Sequence, residues 1–348
     1  MSPWWVAPRP VPSGNAPDLP RKFDPYGGLV NLVYALPLRD RFRGITVREG
    51  VLLRGPAGWG EFCPFREYSD AEAVPWYACA VEAAHTGWPE PVRDRVPVNT
   101  TVPVVRPERA HALVTASGCR TAKVKVADPG SSLTADCDRV AAVRDALGPS
   151  GAIRVDANAA WEVDEACRAI AELDRAAGGL EYVEQPCATL DELAAVRRRV
   201  DVRIAADESI RRAGDPLKVA VAGAADVAVI KVAPLGGVRR ALEVARACGL
   251  PCVVSSAVET SVGLAAGLAL AGALPELDFA CGLGTISLLE HDACSESLSP
   301  VDGYLPVPRR APEPDLAEPA SAEVTRWWLD RMSRVTRLAA PSAGYHDG

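Results

Sequence analysis

The stretch that decides the fold runs from Lys123 to Lys231. It carries five short apolar runs, TAKVKVAD (121–128), IRVDAN (153–158), EYVEQP (181–186), RIAADES (203–209) and VAVIKVAP (227–234). The charged residues they deliver are Lys123 and Lys125, then Asp156, Glu184, Asp207 and Lys231, spaced 31, 28, 23 and 24 residues apart from Lys125 onward. A strand, a turn and a helix together occupy about 30 residues. A strand ending in a charged residue, repeated at that period, is how an α/β barrel presents chemistry at the C-terminal ends of its strands. A single Asp after a Val-rich run more often caps a helix. Three acids and two lysine sites, all at the same point of consecutive units, do not reduce to independent caps.

Outward from this core, PVNTTVP (97–103) reads as the first barrel strand, and Cys252–Ser255 and Leu277–Cys281 as the last two. Helices are expected near 132–147, 164–177, 190–200, 215–223, 236–248 and 260–273. Thr189 with Glu192 forms a capping box, and Gly148, Gly178 and Gly249 sit where helices end. Upstream, LVNLVYALPL (29–38), ITVREGVLLRG (45–55) and GWGEFCPF (58–65) read as strands, and 71–84 as a helix. The expected organisation is a Pro-rich extension over 1–24, an α+β capping domain over 25–95, a barrel over 96–300 and a C-terminal segment over 301–348. In that last segment 301–310 is extended, and the helix 321–338 docks through Trp327 and Trp328, because two exposed Trp would be a liability. Between the first two strands Arg39–Gly44 reads as a basic loop, either a lid over the barrel mouth or a solvated hairpin.

Composition excludes several classes. A net charge of −7 over 348 residues leaves no basic footprint for nucleic acid or an anionic membrane. The most apolar run, Val262–Leu274, is too short to span a bilayer, and MSPWWVAPRPVPSG lacks the order of a signal peptide. Ten cysteines without a CxxC pair point to reduced thiols in a cytoplasmic protein rather than a disulfide frame or zinc site. Of the 38 Lys and Arg, only five are lysine (22, 123, 125, 218 and 231), and three of these stand at the strand ends. Arginine stays protonated, whereas a buried ammonium can release its proton, as a general base must. The retained lysines therefore suggest proton chemistry.

Three carboxylates at one point raise one another's pKa unless a cation joins them. All-oxygen donors without His or Cys favour Mg²⁺ over Zn²⁺. None of the histidines (85, 111, 291 and 346) ends a strand, which argues against a zinc hydrolase and a Ser-His-Asp triad. A divalent ion between lysines suits removal of a proton beside a substrate carboxylate.

The order Lys-x-Lys, Asp-Ala-Asn, Glu-Gln-Pro, Asp-Glu-Ser, Lys resembles the enolase superfamily, muconate-lactonising subgroup, over about residues 28–310. Lysine with Mg²⁺ acting on an enediolate is a known pattern of that superfamily. The resemblance implies an α/β, enolase-like fold, a modified (β/α)₇β TIM barrel with an α+β capping domain. It implies Mg²⁺ on Asp156, Glu184 and Asp207, acid/base work by Lys125 and Lys231, and support of Lys125 by Lys123. The stretches FRGITVREGVLLRG (42–55), GWGEFCPFREY (58–68), 255–285 and VDGYLPV (301–307) are similar to the family's dehydratases. These turn a small cyclohexadiene dicarboxylate into an aromatic acid through a metal-stabilised enediolate. For them Lys125 is base and then acid, and Lys231 stays a cation over the ring. Asn158 and Arg43, with Ser255, Ser256, Gly282 and Gly284, complete the expected substrate contacts.

An N-succinylamino acid racemase or dipeptide epimerase of the same family would use both lysines and is the main competitor. A non-catalytic barrel protein and a Schiff-base aldolase are weaker readings, since they leave the intact acids and lysines, or the three acids, without a role.

Overall fold

The computed structural model describes residues 31–211 and 223–339. The Pro-rich extension at 1–24 and nearly all of the helix expected at 215–223 lie outside them. Two sheets organise the chain. The first is antiparallel, with β1 (Asn31–Phe42), β2 (Ile45–Gly55) and β3 (Gly58–Phe62) in the order β1-β2-β3. The helix Asp70–Val81 packs on it, started by a capping box of Ser69 and Glu72 and continued by a π-turn over Glu82–Thr86.

The second sheet is a ring of eight parallel strands. They are β4 (Arg95–Val102), β5 (Thr121–Lys125), β6 (Ala152–Asp156), β7 (Tyr182–Glu184), β8 (Ile204–Ala206), β9 (Val227–Ile230), β10 (Cys252–Val254) and β11 (Cys281–Gly284). Between β10 and β11 the ring closes by a single bridge, Ser255 to Gly282. A further strand, β12 (Tyr304–Pro306), pairs antiparallel with β4. The capping box of Thr189 and Glu192 and the glycine ends at 148, 178 and 249 are all present. No helix among the described residues is long and apolar enough to cross a membrane.

Strand alternation is what aims the site. On β9, Ala228 and Ile230 face the helices, while Val227 and Val229 join Tyr182, Ala205, Val253 and Phe279 in a separate cluster inside the ring. Side chains alternate with period two along a strand. Lys231 therefore shares the inward face of Val227 and Val229. By the same parity Lys123 and Lys125 follow Thr121 inward, Asp156 follows Arg154, Glu184 follows Tyr182, and Asp207 follows Ala205.

Two expectations need correction, and two helices were not anticipated. Arg39–Gly44 is not a loop: β1 continues through Phe42, and only Arg43 and Gly44 turn, both with positive φ (50° and 81°). A two-residue turn of that conformation matches the twist of a hairpin. The last ring strand is Cys281–Gly284 rather than Leu277–Cys281. The helix Pro107–Ser117, which starts on Pro at its first turn, was not anticipated. Nor was the short helix Val232–Leu235, which the positive-φ pair Gly236 and Gly237 parts from Val238–Cys248, the helix expected over 236–248. At the C-terminus the helix Ala322–Ala339 docks as expected, with Trp328 fully buried edge-on against Phe62.

Candidate active site

The ring's stagger sets the site's geometry. Lys125 pairs in register with Asp156, and Asp156 with Glu184, so these three strand ends stand level. Glu184 pairs with Ala205, and Ala205 with Val227, so Asp207 stands two residues beyond that level and Lys231 four. This rise is what strand tilt produces in a closed ring.

All three carboxylates are fully buried, and each meets a lysine. Lys123 Nζ lies 2.9 Å from both oxygens of Glu184 and 3.3 Å from Asp156. Lys125 Nζ donates to Asp156 at 2.5 Å and to Asn158 Oδ1 at 2.7 Å. Lys231 Nζ donates to Asp207 at 2.5 Å. The electrostatics divide the two neighbouring lysines. Burial opposes charge on Lys123, but Glu184 and Asp156 outweigh it and hold that ammonium above its ordinary pKa. On Lys125 burial prevails, helped by the ammonium of Lys123, and its pKa falls. Burial also works against Asp156, yet Lys125 and Lys123 hold it well below the usual carboxylate range. Glu184 is pushed up to about 7 by burial and by the neighbouring carboxylates of Asp156 and Asp207.

Among the described residues, no three acidic, His or Cys side chains surround one point as ligands surround an ion. The carboxylates turn to the lysines instead. Their chemistry nevertheless fits a hard cation. Every donor is a carboxylate oxygen, and the repulsion that raises Glu184 is what a divalent charge would relieve.

Above these residues is a narrow cavity between the barrel and the capping sheet. The barrel contributes Lys123, Lys125, Lys231, Asn158, Ser255, Ser256 and Gly282 to its lining. Ser256 Oγ and Thr285 Oγ1 are 2.6 Å apart on one wall. Thr101 Oγ1, also facing the cavity, is buried without a hydrogen-bond partner. A Cβ on Gly282 would lie 2.5 Å from Ser255 Oγ, so only glycine permits that wall. Gly284 is outside the lining: a Cβ there would meet the Asn99 carbonyl at 2.4 Å, and its role is to let β11 approach β4.

The other side of the cavity is aromatic and comes from the capping sheet and its helix. Phe42, Phe65, Tyr68 and Trp76 line it, and the Phe42 ring lies 5.3 Å from Lys125 Nζ. Arg43, at the hairpin tip, sits 4.0 Å over Phe65 and donates to Tyr68 Oη at 3.0 Å. Sequence reasoning found Arg43 but none of these aromatics. It also missed Gln185, whose Oε1 accepts from the backbone N–H of Asp207 at 2.9 Å and so fixes that carboxylate's strand end. The Glu-Gln-Pro motif contained this signal.

Known proteins share this fold. The family described as Enolase N-terminal domain-like matches residues 33–84, and Enolase C-terminal domain-like matches 106–312. An o-succinylbenzoate synthase from Thermobifida fusca is 63% identical over 312 residues, covering 90% of this chain and 96% of that protein. Among solved structures, the L-Ala-D/L-Glu epimerase from Bacillus subtilis superposes with a TM-score of 0.70 at 23% identity, covering 84% of this chain and 99% of that one. A dipeptide epimerase from Enterococcus faecalis, complexed with Mg and a dipeptide, gives 0.68 at 23% identity, covering 82% and 97%. The two epimerases share the fold, while the Thermobifida protein shares nearly two residues in three. The chain belongs to the o-succinylbenzoate synthase family, within the enolase superfamily.

Proposed function

We propose that this enzyme catalyses the Mg²⁺-dependent dehydration of 2-succinyl-6-hydroxy-2,4-cyclohexadiene-1-carboxylate to 2-succinylbenzoate, a step of menaquinone biosynthesis. The observation that carries the reading is 63% identity to a named o-succinylbenzoate synthase along 90% of the chain, with three lysines lining one cavity and each bonded to a buried strand-end acid. Its ten cysteines are unpaired, which suits a reducing, cytoplasmic compartment.

In this reading Asp156, Glu184 and Asp207 would hold Mg²⁺, which would supply positive charge opposite the substrate carboxylate and so acidify its neighbouring carbon. Lys125 takes that ring proton. Its depressed pKa and its place in the cavity suit a base that must be neutral part of the time. The same lysine returns the proton to the departing hydroxide, so water leaves and the ring becomes aromatic. Lys231 stays protonated and steadies the charge that spreads over the ring. Lys123, held as an ammonium by Glu184 and Asp156, keeps the site positive and favours the neutral form of Lys125. Arg43, with Asn158, Ser255 and Ser256, binds the two carboxylate-bearing arms.

An ultraviolet assay for aromatic product, with and without EDTA, tests the proposal. Product formation that EDTA abolishes and Mg²⁺ restores is expected. Racemisation of an N-succinylamino acid, with dehydration at background, favours the second reading, which rests on both Lys125 and Lys231 lining one cavity.

A further inference from the structure

The capping sheet meets the barrel at a seam built around one arginine. Arg48, on β2, is buried, with 2% of its surface exposed. Its Nε donates to the carbonyl of Val258 at 2.9 Å, and its Nη2 to that of Ala257 at 3.2 Å and to that of Cys63. Its guanidinium lies 4.5 Å over the ring of Phe65, the same ring that carries Arg43. Ala257, Val258 and Phe65 all line the active-site cavity. Val258 has φ of 63°, a left-handed conformation in which a β-branched residue is strained. Such strain persists only where surrounding contacts over-determine it. The barrel holds the amides of this turn: Ala257 N donates to Glu259 Oε2 at 2.7 Å and Val258 N to Ser256 Oγ at 3.4 Å. The capping sheet holds its carbonyls.

We infer that Arg48 is a positioning residue that fixes the strained Ala257–Val258 wall of the cavity, so that the capping sheet sets the shape of a surface belonging to the barrel. A planar guanidinium can serve three carbonyls at once while stacked on a ring, and a lysine cannot. Loosening this wall weakens substrate and transition state alike, because neither Ala257 nor Val258 carries a group that moves a proton. The effect therefore falls on KM rather than kcat.

The test compares Arg48→Lys with the native enzyme in two ways. The kinetic arm rests on the dehydration proposed above. The other, hydrogen exchange of the free protein, does not. Backbone amides over 255–264 are expected to exchange about tenfold faster in Arg48→Lys, the size of one lost charged hydrogen bond, with β5 to β9 unchanged. KM for the cyclohexadiene substrate rises by a similar factor, with kcat within about threefold. In a Val258→Gly background, where glycine takes the positive φ freely, the same Arg48→Lys change raises KM by less than about threefold. Unchanged exchange over 255–264 overturns the inference whatever the kinetics, as does an equal KM penalty in both backgrounds. Should Arg48→Lys not fold, Phe65→Leu removes the ring beneath the guanidinium and leaves the carbonyl bonds. Faster exchange over 255–264 then supports the inference, and no change refutes it. A native enzyme without turnover on this substrate overturns the proposed reaction and leaves the exchange result to decide the wall.

Discussion

The two ends of the barrel's interior both bury charge, and they do it with different residues. At the floor Arg154 is fully buried, paired with Glu181 and bonded to Asn99 Oδ1 at 3.1 Å and the Ala280 carbonyl at 2.6 Å, with Tyr182 stacked 4.7 Å away. Two residues further along the same strand face, at the mouth, Asp156 meets Lys125 and Lys123. Elsewhere the pattern repeats. Arg139 bonds the carbonyls of Val105 and Lys125, and Arg331 those of Phe65 and Tyr68. Where a buried cation only has to hold backbone together, this chain uses arginine, whose proton does not leave. Lysine among the described residues is confined to the three positions at the mouth. On the proposed reaction, the division separates the buried charges that are scaffold from those that are reagents.

The sharpest way to break that division is to exchange its residues. Lys125→Arg keeps the charge and removes the exchangeable proton, and Lys125→Ala removes both. Each should lower kcat by about 10⁴, the upper range for general acid–base catalysis, in the ultraviolet assay. Appreciable turnover by the Arg variant would mean that charge alone suffices there.

Next in size, Asp156→Asn, Glu184→Gln and Asp207→Asn should each lose about 10³ in turnover, a few kcal/mol of charge stabilisation. Calorimetric Mg²⁺ titration should weaken in parallel while circular dichroism stays native. A variant that turns over normally in metal-depleted buffer is not part of the ligand set.

Lys231 sharpens the comparison from the other side. Lys231→Ala should lose about 10²–10³ in kcat, the usual worth of a positioned charge, and Lys231→Arg should retain more. Equal inactivity of the two would show that Lys231 moves protons and would favour a racemase.

The smallest effect on catalysis belongs to the floor. Arg154→Met should lower stability by about 3 kcal/mol, because it leaves Glu181 without its partner. In denaturant titrations the midpoint should fall, while kcat of the folded fraction stays within about threefold. A large loss of kcat in fully folded protein would erase the distinction between floor and mouth.

What was legible in the chain follows from the range of the forces involved. The βα period, the inward parity of the charged residues and the Thr189 cap are local patterns that propensity and alternation record directly. The strand Cys281–Gly284 was misplaced because CGLG has poor strand propensity and is recruited by pairing with β4. The helix Pro107–Ser117 escaped because only Ala110 and Val114 are buried, too thin a stripe to show a period. The reach of β1 through Arg39–Phe42 was missed because a run of charges imitates a polar connection. The aromatic wall and Arg48 were invisible for another reason. They act across about two hundred residues of chain, as Arg48 to Val258 does, and no local pattern marks such a contact.

The pairing of β4 has a consequence for how the protein is made. β4 opens the ring at Arg95–Val102, yet the strand that closes the ring on its far side, β11, comes only at Cys281–Gly284. During synthesis the first strand of the barrel therefore waits, one edge bare, while roughly two hundred residues emerge from the ribosome at about 5–20 per second. For those many seconds the nascent chain is an open, curling sheet with an apolar border. A stop codon placed before residue 281 would leave that edge exposed and prone to aggregation.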